Sequence, residues 1–327
     1  MNKLIIYAIA LTSLFGISCS HEEGIEDNRG ELVALKYNVS LNNDVLSRTG
    51  EEPALAVNKL LCAVFEDGVE LYREIVDVNI NGKASFTPKL LDNTDYRIVF
   101  WAYYENPAGE SCYNLTDLTA ITANDKYDTG DFEANEQKDA FTDVDDVNLS
   151  TSTSGSTRSI SLTRPFGQIN VLTSEANFLE ANATEATKPV YTVLKVSGYN
   201  DCYNDCYNDC YNALTRQWSQ SNGVPESNLR VECSTVSDKT RTIEGKKYRY
   251  LANEYLFACG TDVTCHIQVY NRTGDVIYDS GRIQHISLDA NTSTNFYNDH
   301  LLTGSSITYD VSIDDGLETG AENENEL

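Results

Sequence analysis

Three places in this 327-residue chain gather side chains that could do chemistry. The first is Tyr199-Asn-Asp-Cys, repeated three times to Cys210 and followed by Tyr211-Asn212. Thiols at Cys202, Cys206 and Cys210 with interleaved carboxylates would suit a soft metal ion, or would oxidise to cross-links. Their spacing matches no standard zinc pattern, which sets paired knuckles beside distant ligands, and no His stands nearby. Identical units in a row read instead as duplication within a loop that tolerates insertion. The second place is Asp143-Val-Asp-Asp146. It offers oxygen ligands but lacks the glycine and distal Glu of a calcium loop, so it reads as a solvated acidic loop. The third is Cys265-His266, a nucleophile and a base by type. Adjacent residues on a strand point to opposite faces, so the two cannot pair. Cys62 and Cys265 lie in apolar runs, where a small buried hydrophobe is the expectation. His21, His285 and His300 are scattered. No nucleophile elbow, zinc-protease helix, P-loop or dinucleotide fingerprint is present. The expectation is no enzyme, no metal and no cofactor.

Two further residues invite modification rather than catalysis. After the basic start Met1-Asn2-Lys3, Leu4 to Ile17 is an apolar run too short to span a bilayer stably. It ends at Gly16-Ile17-Ser18-Cys19. This is a secretory signal, and a Cys after small residues resembles the bacterial lipoprotein signal, in which that thiol is acylated and becomes the new N-terminus. Gly16 departs from the Leu or Val usual three residues before the Cys. Ser20-His-Glu-Glu23 resembles the acidic tags that send lipoproteins to the cell surface. The second residue is Arg48 in Leu46-Ser47-Arg48-Thr49-Gly50, a lone cation in a soft, protease-accessible setting.

The element upstream of Arg48 gives it meaning. Val33, Leu35, Tyr37, Val39 and Leu41 alternate with polar or small residues, the period of a strand with one buried face. Val57–Phe65 reads as a strand buried on both sides. Asp67-Gly68 supplies the positive φ of a hairpin, and Val69–Ile80 returns. Asn81-Gly82 and Asp92–Asp95 are turns, with Tyr96–Tyr104 the most apolar strand. Residues 112–148 are weakly patterned, with a short helix near Leu115–Ile121. A second β pattern runs from Arg158 through Ile160, Leu162, Gly167–Leu172, Tyr191–Val196, Arg249–Ala258, Val263–Tyr270, Val276–Tyr278 and Arg282–Leu288. Residues 175–187 read as a helix. Ile307, Tyr309, Val311 and Ile313 alternate again near the end.

Composition agrees with an exported all-β protein. Lys and Arg number 24 against 50 Asp and Glu, a formal charge of −26. That balance repels nucleic acid and anionic membranes. The 20 Tyr, with Val, Ile and Thr in short runs between Asn, Asp and Gly, favour strands. Thr151–Thr157 is a small-polar linker. The divisions are therefore a signal peptide at 1–19, a tether and first strand at 20–48, β domains at 49–157 and 158–316, and an acidic tail at 317–327.

In their order along the chain, several of these segments resemble the fimbrillins, pilus subunits of Gram-negative anaerobes. They are Cys19, the alternating strand with Arg48, Val57–Phe65, Tyr96–Tyr104, Lys138-Asp-Ala-Phe141, Leu162–Ile169, and Thr294–Thr303 leading into Ile307–Ile313. The resemblance implies two tandem transthyretin-like β-sandwich domains, here with short helical insertions. It also implies export as an outer-membrane lipoprotein and cleavage between Arg48 and Thr49 by an Arg-specific protease. The first strand (Val33, Leu35, Tyr37, Val39, Leu41) then leaves as a propeptide, and a neighbouring pilin's strand fills the groove. Ile307, Tyr309, Val311 and Ile313 are either the donated face or the last strand of their own domain. The rival implication is a monomeric surface lipoprotein or tip adhesin that grips a host protein or glycan.

Overall fold

The computed structural model describes residues 31–41, 57–123, 137–149, 155–175, 188–197, 210–219, 229–233, 240–258, 262–299 and 310–315. Everything regular in them is β. The first half contains β1 (Leu32–Ala34), β2 (Lys36–Leu41), β3 (Lys59–Glu66), β4 (Val69–Asp77), β5 (Lys83–Phe86) and β6 (Lys89–Leu91). It continues with β7 (Asp95–Tyr103), β8 (Tyr113–Asn114), β9 (Thr122–Ala123), β10 (Ala140–Asn148) and β11 (Thr157–Leu162). One sheet runs β10-β7-β3-β4 and the facing one β11-β2-β5, with β1-β6 and β8-β9 as short pairs. The β3–β4 hairpin turns at Asp67 (φ 49°) and Gly68 (φ 79°), the two positive φ values its Asp-Gly promised.

The second half contains β12 (Phe166–Thr173), β13 (Tyr191–Ser197), β14 (Cys210–Asn212), β15 (Gln217–Ser219), β16 (Leu229–Cys233) and β17 (Thr240–Ile243). After these come β18 (Lys246–Phe257), β19 (Asp262–Tyr270), β20 (Val276–Ser287), β21 (Thr292–Asn298) and β22 (Asp310–Asp315). A sheet ordered β17-β18-β12-β21-β22 packs over one ordered β16-β13-β19-β20. Ile169, Val171, Leu194, Val196, Leu251, Ile267, Val269 and Phe296 fill the space between. Each half is thus two sheets around one core, the β-sandwich solution.

A third core explains why β3 and β7 are apolar throughout. Their alternate residues Leu60, Cys62, Val64, Ile98 and Phe100 face the first sandwich. Leu61, Ala63, Phe65, Val99 and Trp101 face outward instead, onto Phe166, Tyr211, Tyr255 and Phe257 of the second half. Two buried ion pairs close this seam, Lys138 to Glu254 and Arg164 to Asp139, each at 2.8 Å.

Several expectations are corrected. Leu115–Ile121 forms turns and an isolated bridge, not a helix, with Asn114 and Asp117 side chains accepting from Thr116 and Thr119 amides. Such local bonds compete with helical ones. The helix read over 175–187 is not among these corrections, since all of it but Glu175 lies outside the described residues. The stretch around Asp143–Asp146 is strand β10 and not a loop. Its carboxylates take Arg216, Arg158 and Arg97 as partners. Val276–Tyr278 and Arg282–Leu288 join as one strand, kinked where Gly281 and His285 adopt positive φ. Residues 157–162 hydrogen bond to β2 of the first half, in a parallel register pairing Tyr37 with Arg158 and Leu41 with Leu162. Among the described residues no helix is long and apolar enough to cross a membrane.

Candidate functional site

The alternating stretch of residues 31–41 does become a strand, and it sits in the middle of its sheet. β2 lies between β11, parallel to it, and β5, antiparallel to it. β1 pairs with β6. Hydrogen bonds hold the segment from end to end. The amides of Leu35, Lys36 and Leu41 donate to the carbonyls of Pro88, Ser156 and Gly82 at 3.2, 3.0 and 2.8 Å. The carbonyls of Glu31 and Ala34 accept from Asp92 and Gly155. Gly82 has a φ of +66°, and a Cβ there would press on the Leu41 side chain at 3.3 Å.

The five apolar side chains point into the first core. Val33, Leu35, Tyr37, Val39 and Leu41 are only 0–5% exposed, while Ala34, Lys36 and Asn38 between them face solvent. At about 1.5–3 kcal/mol each, such burial is worth roughly 7–15 kcal/mol gross, an upper figure because unfolded chains bury some of it already. Removing this strand would open a slot along the core and leave β5, β6 and β11 without partners.

One polar contact lies at the centre of the slot. The Tyr37 ring packs against Phe100 at 5.2 Å and Phe86 at 6.3 Å. Its hydroxyl donates to Asp145 Oδ2 at 2.8 Å. Arg158 grips the same carboxylate from β11, Nε to Oδ2 at 2.6 Å and Nη2 to Oδ1 at 2.7 Å. This two-pronged geometry is the strong form of an arginine–carboxylate pair. Burial, and then the hydrogen bond to Asp145, hold the Tyr37 hydroxyl well above its ordinary pKa. Asp145 and Arg158 were not singled out in the sequence, although Asp145 lies within the acidic run set aside as a loop.

Of the other candidate residues, Cys19, Arg48, Thr49, Ile307 and Tyr309 lie outside the described residues. Val311 and Ile313 belong to β22, the outer strand of the second half's larger sheet, opposite Phe296 and Thr294 of β21. Val311 is 40% exposed there. Cys265 is fully buried, and burial pushes its thiol up to about 12. His266 faces away and binds Asp279 at 2.7 Å. The Tyr-Asn-Asp-Cys units precede the described residues, except for Cys210 at the start of β14. Tyr211 just after them is buried, stacked on Phe257 at 5.2 Å.

Residues 29–326 match the family of unknown function DUF6562. The chain belongs to that family. No curated protein matches it. Among solved structures, the fimbrial anchor protein Mfa2 from Porphyromonas gingivalis is similar at 13% identity and a TM-score of 0.42, covering 87% of this chain and 98% of that one. A candidate adhesin from Bacteroides thetaiotaomicron is similar at 11% identity and a TM-score of 0.46, over 86% and 95% of the two chains. A candidate cell adhesion protein from Bacteroides eggerthii is similar at 13% identity and 0.45, over 88% and 97%.

Proposed function

We propose that this DUF6562 member is a structural subunit of a cell-surface fimbria, exported as a lipoprotein through Cys19. In this reading a protease cuts after Arg48, residues 31–41 leave, and a strand from another subunit takes their place. The observation that carries it is the central seat of β2. Residues 31–41 carry five buried side chains, three of them (Tyr37, Val39 and Leu41) on the interior strand β2, and are joined on their C-terminal side to the run containing Arg48. A central strand that can be cut free is an inlet for strand addition, in which main-chain hydrogen bonds give affinity and alternate pockets give specificity. Head-to-tail addition does not close on itself, so it builds a filament. The partners are other pilin subunits and the processing protease.

Arg48→Ala tests this reading. The variant is expected to stay lipid-bound and unpolymerised, with a mature N-terminus at Cys19 by mass spectrometry of surface protein. Normal polymer from the Arg48→Ala chain overturns strand removal. Wild-type protein that keeps both its Cys19 lipid and an intact Arg48–Thr49 bond would instead make the chain a monomeric surface lipoprotein or adhesin for a host protein or glycan.

A further inference from the structure

One face of the first sandwich departs from the charge of the whole chain. The strands of the sheet β10-β7-β3-β4 carry eight carboxylates against three cations. The strands of the facing sheet β11-β2-β5 carry no carboxylate and three cations, Lys36, Lys83 and Arg158. Arg158 is engaged with Asp145 on the core side. Register arranges the solvent side of this sheet in three cross-strand rows. They are Thr157 with Lys36, Ser159 with Asn38 and Ser85, and Ser161 with Ser40 and Lys83. All are exposed except the half-buried Ser40. Two lysines, five hydroxyls and one amide thus make an acid-free surface on a chain of formal charge −26.

That surface is recessed. Asn38, Ser40, Lys83, Ser85 and Ser159 line a groove of about 580 Å³, whose lining continues onto Asp77 and Asn79. Asp77 is neutralised by Lys59, whose Nζ lies 2.8 Å from its carboxylate. Asn79 Oδ1 accepts from the amides of Asn81 and Lys83 at 2.9 and 3.1 Å. Those bonds fix the side chain and leave its NH2 as the group it offers a ligand.

We propose that this groove binds an acidic polysaccharide in which uronate and neutral sugars alternate. Lys36 and Lys83 supply charge for the carboxylates, while Ser159, Asn38 and Ser85 between them pair with sugar hydroxyls. Lys83 stands opposite Ser40, four residues beyond Lys36. That is about 13 Å along the strand, a spacing for anions separated by an uncharged unit. A protein partner fits worse, because interface cores favour aromatic side chains, Met and Arg and are poor in Lys and Ser. The chain's distant carboxylates do not forbid binding, since at physiological salt charges more than about 8 Å away are largely screened. The groove needs no cut and goes beyond the strand-removal reading. Lys36, Asn38 and Ser40 lie on the strand which that reading removes, so the groove belongs to the uncut chain.

Binding of the full, uncut chain to immobilised hyaluronan, an alternating uronate polymer, tests the assignment. Retention is expected at low salt and is lost by about 0.5 M, where the screening length is only a few ångströms. Dextran, polyglutamate and DNA should each bind at least about ten-fold more weakly, because each lacks either the charge or the sugar hydroxyls, or carries its anions too densely. Lys36→Glu and Lys83→Glu should each weaken hyaluronan binding about ten-fold. Arg282→Glu, which reverses an exposed cation on β20, should weaken it less than about two-fold. The charge-neutral pair Asn38→Ala with Ser159→Ala should cost about three-fold, by removing sugar contacts alone.

Every substituted side chain is exposed, so each variant is expected to keep its thermal midpoint within about 3 °C of the parent. No retention on hyaluronan overturns the proposal. So does equal binding to polyglutamate or DNA, which would reduce the effect to charge. Equal losses from Lys83→Glu and Arg282→Glu also overturn it, since they would report net charge and not this groove. None of these outcomes bears on strand removal, which the mature N-terminus decides.

Discussion

At the scale of single residues, Tyr37 is the position where shape and charge are read together. Its ring fills apolar space between Phe86 and Phe100 while its hydroxyl meets the Asp145–Arg158 pair. Tyr37→Phe keeps the ring and deletes one hydrogen bond to a charged acceptor, a loss of about 1.5–3 kcal/mol. Because Arg158 still holds the carboxylate, the loss should fall toward the low end of that range. Urea denaturation of Tyr37→Phe, Asp145→Asn and the double variant checks the argument. The two changes should be strongly non-additive, as they share one contact. Additive losses would show that the hydroxyl and carboxylate do not act as a pair.

At the scale of elements, the strand pattern was legible wherever one face or both faces are apolar. The alternation from Val33 to Leu41 and the runs that became β3 and β7 each state their own burial. β10 was not legible, because it carries Asp143, Asp145 and Asp146, and their arginine partners come from Arg216, Arg158 and Arg97 on other elements. No local window contains those partners. β21 was hidden for a related reason. Its Thr292, Ser293, Thr294 and Asn295 are buried, with the Asn170 amide donating to Ser293 and Asn295 across the parallel pair. A polar sequence buried among hydrogen bonds reads as a surface until its neighbours are known. The candidate slot was half legible, its apolar lining from periodicity and its polar centre not at all. The repeat before Tyr211 is an element-scale matter too. Tyr211 and the β14–β15 pair anchor the chain immediately after it, so closing a shorter loop changes stability little. Deleting two Tyr-Asn-Asp-Cys units should move the thermal midpoint by less than about 3 °C. A larger fall, or loss of a stoichiometric metal on deletion, would make the repeat structural.

At the scale of the whole molecule, the buried regions hold several tyrosine hydroxyls and cysteine thiols that must stay protonated. Burial, the first cause in each case, pushes Tyr72, Tyr103 and Tyr211 up to about 12, and the thiols of Cys112 and Cys265 likewise. Cys62 and Tyr37 are raised further by the same cause. Unfolded, cysteine titrates near about 8.5 and tyrosine near about 10. Between those values and the raised ones, the unfolded chain has released protons that the folded chain keeps. Stability must then fall as pH rises, because the unfolded state binds fewer protons. The stabilising contribution is complete below about pH 8 and drains away from about 8.5 toward 12. The formal charge of −26 adds self-repulsion of the same sign as lysines neutralise. Urea midpoints measured under reducing conditions should therefore decline from about pH 8.5 and steepen above 10. Replacing Cys62, Cys112 and Cys265 by Ala separates the two classes of group. The triple variant should start lower through lost packing, yet hold its midpoint level until about pH 10, where the tyrosines take over. A parent midpoint that stays flat to about pH 11, or a triple variant whose decline still begins near 8.5, would show that these buried hydroxyls and thiols do not set the alkaline limit of the fold.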